Sequence, residues 1–339
     1  MPGSIAGALS HESSRPRSRG AARWLSQVRW GGLLVGAVWL ALAAVTLRLP
    51  EDGEFPYTAD FAGGAGAVGL LLALALPLSA SLGRVGGRLH HWGPWLAVIG
   101  LGLLAWELVT AKFSLLPMPF FPPPQGIVEV FLEDWPKLGG STLNSLLLLA
   151  GGYAIGAGVG FMLGVAIGWS RAIGYWAHPV LRFVGPLPAT AWLPIAFFVF
   201  PSSWSASTFL VALATGFPVT VLTWSGVAGA NKAYYDVART LGASQAFLIR
   251  KVAIPAALPH VFVGLFMGLG GSFAVLVVAE MLGVKSGLGW YLQWAQGWAA
   301  YANMYAALIV MALMCSGLIT VLFRLRDRLL AWQKGLVQW

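Results

Sequence analysis

Eight long apolar stretches follow one another along the chain, and they limit its fold more than any other feature. A membrane-spanning helix needs about 20 predominantly apolar residues. Eight segments approach this length: 30–49, 61–83, 93–112, 142–169, 176–200, 205–229, 258–283 and 303–323. Charged residues make up only 10% of the chain, against about 25% in soluble domains. The sequence therefore predicts an all-α, polytopic membrane protein.

The lysines and arginines predict how these spans are oriented. Cytoplasmic loops of membrane proteins carry an excess of Lys and Arg, and most of the 21 basic residues fall in alternate connections. With the N-terminus inside, only Arg48, Lys112, Lys137 and Lys285 lie outside, together with the acidic stretch 51–54. Both termini are therefore predicted to be cytoplasmic. Because the basic residues form short clusters between apolar runs, the net charge of +9 does not indicate a nucleic-acid partner.

The residues needed for several kinds of chemistry are missing from the sequence. The single cysteine, Cys315, lies in an apolar run, so neither a disulfide framework nor a cysteine-based metal site is expected. The sequence contains no G-x-x-x-x-G-K-[ST] loop, whose backbone amides normally hold the phosphates of ATP. We therefore expect no catalytic residue, no metal site and no cofactor in this chain.

Glycines recur at every fourth residue along the fourth span, at Gly152, Gly156, Gly160, Gly164 and Gly168. Residues four apart share one face of a helix, and a face of small residues lets two helix backbones approach closely. The row predicts tight helix packing, either within one subunit or between two copies.

The fifth span contains four prolines and is predicted to be irregular. Non-helical backbone at membrane depth is tolerated only against protein or a water-filled cavity. Pro188, Thr190 and Trp192 are therefore candidates for lining a translocation path, with a simple kink against neighbouring helices as the alternative. Glu280, near the outer end of the seventh span, is a candidate path or gate residue, because ionisable groups within membranes are often functional. A structural role is the alternative for Glu280.

The cytoplasmic loop between the sixth and seventh spans carries the most specific pattern. It reads Asp236-Val237-Ala238-Arg239-Thr240-Leu241-Gly242 and, after nine further residues, Val252-Ala253-Ile254-Pro255. The polar stretch from Tyr234 to Leu241 is compatible with a short helix, and Gly242 is a natural helix stop. The small residues Ala238 and Gly242 would let this helix fit closely into a cleft on a partner. An ordinary amphipathic loop is the alternative.

This loop resembles the "EAA" loop of permease subunits of binding-protein-dependent ATP-binding-cassette importers. In that pattern, EAA is followed by three residues, a glycine, nine residues and I-x-L-P, and the spacing is kept here. The departures are Asp236 for Glu, Val237 for the first Ala, Val252 for Ile and Ile254 for Leu. Segments flanking the loop resemble the nitrate, sulfonate and taurine class: Phe217-Pro218, Thr223-Trp224, Val278-Ala279-Glu280 and Ser286-Gly287-Leu288-Gly289.

The resemblance implies a six-helix, type I importer permease core with two extra N-terminal transmembrane helices. Residues 1–29, rich in Ser, Gly and Arg, are predicted to be a disordered cytoplasmic tail. Residues 30–92 would hold the two additional helices, and residues 93–339 the permease core with its coupling loop 232–251. The residues that the resemblance assigns to coupling with an ATPase are Asp236, Val237, Ala238, Arg239, Leu241, Gly242 and Pro255.

The resemblance also implies partners in the bacterial inner membrane and on both sides of it. They are a cytoplasmic ATPase dimer that binds ATP and Mg²⁺, a second permease copy in a homodimer, and an extracytoplasmic substrate-binding protein. The implied solute is a small anion such as nitrate, bicarbonate, a sulfonate or taurine, or an aromatic acid. A polytopic enzyme acting on lipids is one alternative, which would place His, Asp or Glu clusters near one membrane face. A secondary transporter is the other, which would show inverted repeats.

The predicted orientation can be tested by cysteine labelling in intact cells. Cysteines at positions 54 or 287 should react with membrane-impermeant thiol reagents, because both positions are predicted to lie outside. Cysteines at positions 86 or 232 should stay unlabelled until the cells are opened. Labelling of position 232 from outside would contradict the orientation and, with it, a cytoplasmic coupling loop.

Overall fold

The computed structural model describes residues 18–51, 53–77 and 83–332, and every regular element in those ranges is helical. The helices are α1 Ser18–Arg48, α2 Thr58–Ala75, α3 Gly83–Glu107, α4 Pro124–Glu133, α5 Trp135–Trp169, α6 Arg171–Val184, α7 Leu193–Val199, α8 Ser203–Ala228, α9 Lys232–Thr240, α10 Gln245–Phe247, α11 Ile254–Leu282, α12 Leu288–Gly297 and α13 Tyr301–Leu329. A π-helical turn, Leu108–Lys112, continues α3, and a second, Leu248–Ala253, joins α10 to α11. A 3₁₀ turn, Ala189–Trp192, precedes α7.

The lengths of these helices confirm the all-α membrane fold. Among the described residues, six helices are long and apolar enough to cross a membrane: Thr58–Ala75, His91–Lys112, Trp135–Trp169, Ser203–Ala228, Gln245–Leu282 and Tyr301–Leu329. The predicted fifth span corresponds to α6 and the 189–199 segment, which are bent by 87° relative to each other. The predicted first span corresponds to a shorter apolar helix, Gly32–Arg48, within α1.

The chain divides into two compact units, residues 1–128 and 129–339. The third predicted span therefore lies in the first unit, whereas the division made from the sequence placed it in the core. Of the predicted tail 1–29, residues 1–17 lie outside the described residues, and residues 18–29 belong to α1. The functional division into tail, extra helices and permease core stays a prediction.

In the first unit, buried charges join the end of α1 to the end of α3. The ammonium of Lys112 donates to the carbonyl oxygens of Thr46 and Leu49, at 2.8 and 3.1 Å, and to the Glu51 carboxylate at 2.9 Å. The Glu107 carboxylate lies 3.6 Å from the same ammonium and is fully buried. All three N–H groups of the Lys112 ammonium therefore have a hydrogen-bond acceptor. This network fixes the predicted outer ends of the two helices to one another.

The second unit is built around α8, which packs against α5 on one side and α11 on the other. The predicted glycine row of α5 faces α8 within the same chain. A Cβ at Gly160 would lie 2.6 Å from the carbonyl oxygen of Gly216, and one at Gly164 would lie 2.5 Å from the Thr223 Cβ. The row is therefore confirmed as a packing face, and its partner is a helix of this subunit.

Glycines also bring α11 close to the other side of α8. A Cβ at Gly264 would lie 3.0 Å from the Val219 Cα, and one at Gly268 would lie 3.1 Å from the Thr215 carbonyl oxygen. On α8 itself, a Cβ at Gly226 would lie 3.0 Å from the Ala257 Cα. Both neighbours of α8 thus lie at backbone-to-backbone distance, which close packing in membranes requires.

The fifth span is broken where the prolines come. Helix α6 ends at Val184, and Pro186 and Pro188 follow in the connection to the 3₁₀ turn. Proline has no amide hydrogen to continue the helical hydrogen bonds, and Pro188 is extended, with φ −61° and ψ 139°, so the helix does not continue through this connection. Gly185 permits the break to pack on α8, because a Cβ at this position would overlap the ring of Phe217.

The glycine packing face can be tested with one pair of substitutions on α5. Gly160→Leu should lower the yield of folded protein and its melting temperature, because its side chain would have to displace the α8 backbone. Overpacking of this kind costs about 1–3 kcal/mol or more. Gly158→Leu is the matched control, since a Cβ there meets no atom within 4 Å. Equal yields of the two variants in detergent would contradict the packing.

Candidate coupling surface and translocation-side residues

Helix α9 lies in the predicted cytoplasmic loop and has well-defined ends. The Asn231 side chain caps its start by accepting from the Ala233 amide at 3.0 Å. At its end, the amides of Gly242 and Ala243 donate to the carbonyl oxygens of Arg239 and Ala238, at 2.9 and 3.0 Å. These two bonds form a Schellman motif. Gly242 has φ +79°, which residues with a side chain rarely adopt, so the predicted stop at Gly242 is confirmed.

One face of α9 is attached to the membrane helices. The ring of Tyr235 packs against that of Trp169 at the end of α5, with centroids 6.0 Å apart. Both rings lie against a buried cluster formed by Val227 at the end of α8, Ala253 in the π-helical turn and Ala257 at the start of α11. Burial raises the pKa of Tyr235, and the positive charge of Arg239 opposes that shift. A displacement of α9 would therefore be transmitted to three long helices.

The opposite face of α9 presents apolar side chains that no part of the described chain covers. Tyr234, Val237 and Leu241 recur at helical spacing, and Leu241 is 82% exposed. Asp236 and Arg239 form an exposed ion pair at 3.9 Å beside them. Ala238 is half-buried. Exposed apolar patches rimmed by charges mark interaction surfaces, so this face is suited to bind another protein.

Pro255 lies away from this surface, at the start of α11. The π-helical turn Leu248–Ala253 precedes it, with Leu248 and Ala253 fully buried. Proline lacks an amide hydrogen and clashes with the carbonyl four residues earlier, and a local widening of the helix relieves such a clash. Pro255 therefore shapes the entry of the loop into α11 and is not part of the exposed face of α9.

Two of the predicted path residues line one cavity in the second unit. Pro188 and Thr190 border a cavity of about 320 Å³ between the break after α6, α8 and α11, together with Phe217 and Ala274. Trp192 lies beside it, in the apolar cluster around Leu193, and its indole N–H is buried without a hydrogen-bond partner among the described residues. The broken segment thus borders a cavity of the second unit, with Pro188 exposed at its edge, and a path role for these residues stays a prediction.

Glu280 is enclosed by protein and does not line that cavity. Its side chain is 1% exposed. The Ser145 hydroxyl lies 2.7 and 2.9 Å from its two carboxylate oxygens, and the Gly289 amide donates to it at 2.8 Å. The same Ser145 oxygen accepts from the Leu288 amide at 2.7 Å. A carboxylate at the start of α12 is favoured by the helix dipole. These contacts favour a structural role for Glu280, and its gate role stays a prediction.

The glycine beside Glu280 changes the choice of labelling position. Gly287 has φ +103°, and a Cβ on it would collide with the Glu280 carboxylate. A cysteine at 287 would therefore disturb the fold. Lys285 is exposed in the same connection and is the better position for the labelling experiment.

Several contacts that hold this region together have no recognisable signal in the sequence. Ser145 is separated by 135 residues from Glu280, and nothing distinguishes it from other serines in apolar helices. A second network joins Asp134 to Tyr291 and Asn303, with the Tyr291 hydroxyl donating to Asp134 at 2.6 Å. Burial and this hydrogen bond raise the pKa of Tyr291. No three His, Cys, Asp or Glu side chains come together to hold a metal within the described ranges.

The chain is similar to known transport proteins over most of its length. Residues 156–334 match the family model described as the binding-protein-dependent transport system inner membrane component. A bicarbonate transport system permease protein of Synechococcus elongatus is 32% identical over 56% of this chain and 66% of its own. A permease protein of Bacillus subtilis named for aliphatic sulfonates is 30% identical over 74% of this chain and 92% of its own. A nitrate import permease protein of Synechococcus elongatus is 29% identical, with shares of 74% and 91%.

The Glu280 network predicts a specific loss of stability. Ser145→Ala should lower the melting temperature of the purified protein, because it removes one donor to a buried carboxylate and the acceptor of the Leu288 amide. The expected cost is about 1–3 kcal/mol. Ser141→Ala, one helical turn away and also buried, is the control and should change little. Equal melting temperatures for the two variants would show that Glu280 does not depend on Ser145.

Proposed function

Because the chain belongs to the family of binding-protein-dependent transport system inner membrane components, it is a multi-pass transmembrane subunit of an ATP-binding-cassette importer, and we propose that α9 couples it to cytoplasmic ATPases. The observation that carries the proposal is the free apolar face of α9. That face lies on a helix whose other side packs on the ends of α5, α8 and α11. A short helix held in this way can pass force between a soluble motor and the membrane helices.

The residues of the coupling surface divide into two groups with different tasks. Val237 and Leu241 supply apolar contact area, while Asp236 and Arg239 fix orientation through charge at its rim. Gly242 sets the end of the helix and leaves open space beyond it, since a Cβ there would meet no atom within 4 Å in the described part of the chain. We propose that the ATPase occupies this space. Ala238, half-buried beside the ion pair, permits close approach.

The proposed assembly contains two copies of this chain, two ATPase subunits and an extracytoplasmic binding protein. ATP and Mg²⁺ are held by the ATPase subunits, since the chain lacks the loop that cradles phosphates. Closure of the ATPase dimer draws the two α9 helices together and opens the path to the outside. Release after hydrolysis returns it to the inside, with both termini of the chain in the cytoplasm.

The transported solute is proposed to be a small anion. The relatives named above are a bicarbonate, an aliphatic sulfonate and a nitrate permease, and these solutes share a compact oxyanion group. Pro188 and Thr190 border the cavity that fits a path, and Trp192 supports the broken segment that forms its wall. Family membership removes the reasons for a lipid-modifying enzyme or a secondary transporter.

The coupling proposal is tested by substitutions on the exposed face. Leu241→Glu should fold normally, because the side chain is 82% exposed, but it should reduce ATPase co-purification and solute uptake by about tenfold or more. Gly242→Trp should do the same, with an added strain of about 1–2 kcal/mol from the positive φ. Asp236→Lys should be milder, since exposed charges are screened. The measurements are co-purification and uptake in proteoliposomes that contain the binding protein.

Two control variants separate coupling from folding. Gly242→Asn should keep coupling, because Asn tolerates the left-handed conformation and adds little bulk. Lys232→Gln, at the exposed start of α9, should also behave like the unmodified protein. If Leu241→Glu and Gly242→Trp retain full uptake and ATPase binding, α9 is not the coupling element.

A further inference from the structure

A cavity of about 530 Å³ opens between α6 and α8, separate from the cavity that Pro188 and Thr190 border. Its walls include Tyr175, His178 and Arg182 from α6 and Phe217, Val221 and Trp224 from α8. Helix α6 begins directly after the end of α5, which the Lys and Arg distribution places on the cytoplasmic side. The cavity therefore lies towards the inner end of the broken span.

The formal charge on the wall of this cavity is positive only. Arg182 lies on its wall, and no aspartate or glutamate is among the residues that line it. Within the described residues, no carboxylate forms an ion pair with Arg182. A guanidinium beside an apolar wall without a counter-ion attracts anions, and its planar fork matches the geometry of an oxyanion. Arg182 is exposed, and apart from His178 the other residues of the wall are apolar or aromatic, so Arg182 supplies the fixed charge of the cavity.

His178 adds a directed hydrogen-bond donor to the same wall. Its ring packs on the Trp224 ring with centroids 4.4 Å apart. This contact restricts the rotation of the imidazole, so the ring is already held at the cavity before a ligand binds. A neutral imidazole carries one N–H donor and a protonated one carries two. In either state His178 can donate to an oxyanion that Arg182 attracts.

The ring of Phe217 lies between this cavity and the one that Pro188 and Thr190 border. It lines both of them. It is also pressed against Gly185 at the break after α6, where a Cβ would overlap the ring. An anion that moves inward from the cavity bordered by Pro188 and Thr190 must therefore pass Phe217, or Phe217 must move, before it reaches the cavity of His178 and Arg182.

We propose that the cavity formed by His178, Arg182 and Trp224 is a binding site for a small oxyanion at the inner end of the translocation path. The role of this cavity as the last site before release rests on the proposed function. Its ability to bind an anion is independent of that function. Nitrate, bicarbonate and short sulfonates have the right charge, and the volume leaves room for accompanying water. Arg182 supplies the charge, His178 the directed hydrogen bond and Phe217 the apolar barrier.

The test measures the electrostatic environment of the cavity with a cysteine placed in its wall. Val221→Cys is made in a Cys315→Ser background, and its reaction rates with an anionic sulfonatoethyl and a cationic trimethylammonioethyl methanethiosulfonate are compared in detergent. Arg182→Gln should lower the anionic-to-cationic rate ratio by about tenfold, the effect expected for one partly screened unit charge at short range. Nitrate or methanesulfonate should slow the anionic reagent, and His178→Gln should weaken that protection.

Arg171→Gln is the matched control, since Arg171 is an exposed cation on the same helix that does not line the cavity. It should leave the rate ratio unchanged. An unchanged ratio in Arg182→Gln, or equal changes in both variants, would overturn the proposal. Tyr175→Cys, on the same wall and exposed, serves as the reporter if Val221→Cys does not fold. Protection that requires phosphatidylglycerol nanodiscs, and is absent with nitrate or methanesulfonate, would assign the site to a lipid headgroup and also overturn it.

A second measurement separates this proposal from that of the importer. Unmodified protein is reconstituted with the ATPase and binding protein, and hydrolysis stimulated by the binding protein is recorded. Normal stimulation of hydrolysis by the unmodified protein, together with an unchanged rate ratio in Arg182→Gln, would refute the anion site but leave the importer function supported. A tenfold lower rate ratio in Arg182→Gln, without any stimulation of hydrolysis in the unmodified protein, would support the anion site and refute the importer function.

Discussion

The packing of α8 between α5 and α11 is the constraint on which the second unit depends. Lipid tails are as apolar as the helices, so the hydrophobic effect does not hold membrane helices together, and close van der Waals contact must do so. Glycines on α5 and α11 provide that contact, as the short distances from Gly160 to Gly216 and from Gly268 to Thr215 show. One central helix is thereby fixed on two sides along its length.

The candidate functional elements are all positioned by this central helix. Helix α9 begins just beyond the end of α8, and its residue Tyr235 packs on residues of α8 and α11. The broken span packs on α8 through the contact of Gly185 with the Phe217 ring, and the two cavities lie on either side of that ring. Tyr235 thus connects α9 to the helix that also lines both cavities, which is the arrangement that the proposed coupling requires.

Much of this architecture was predictable from local patterns. The spans follow from runs of apolar residues, the break from Pro186 and Pro188, and the glycine face from a spacing of four. The end of α9 follows from Gly242, whose backbone conformation few other residues tolerate. Each of these features depends on residues that are near one another in sequence. The role of Glu280 was not predictable in this way, because its partner Ser145 is distant in the chain and chemically ordinary.

The sequence by itself determined that the chain is a helical membrane protein, where its helices break, and which loop carries the coupling pattern. Hydrophobic length, proline and glycine act locally, so they can be read without a structure. Only the tertiary structure decided that the glycine face of α5 packs on α8 of the same chain, and that Glu280 is enclosed by Ser145 and the start of α12. It also decided that His178 and Arg182 share one cavity with Trp224. Such juxtapositions arise from how separate helices pack, and no single helix contains the information that sets them.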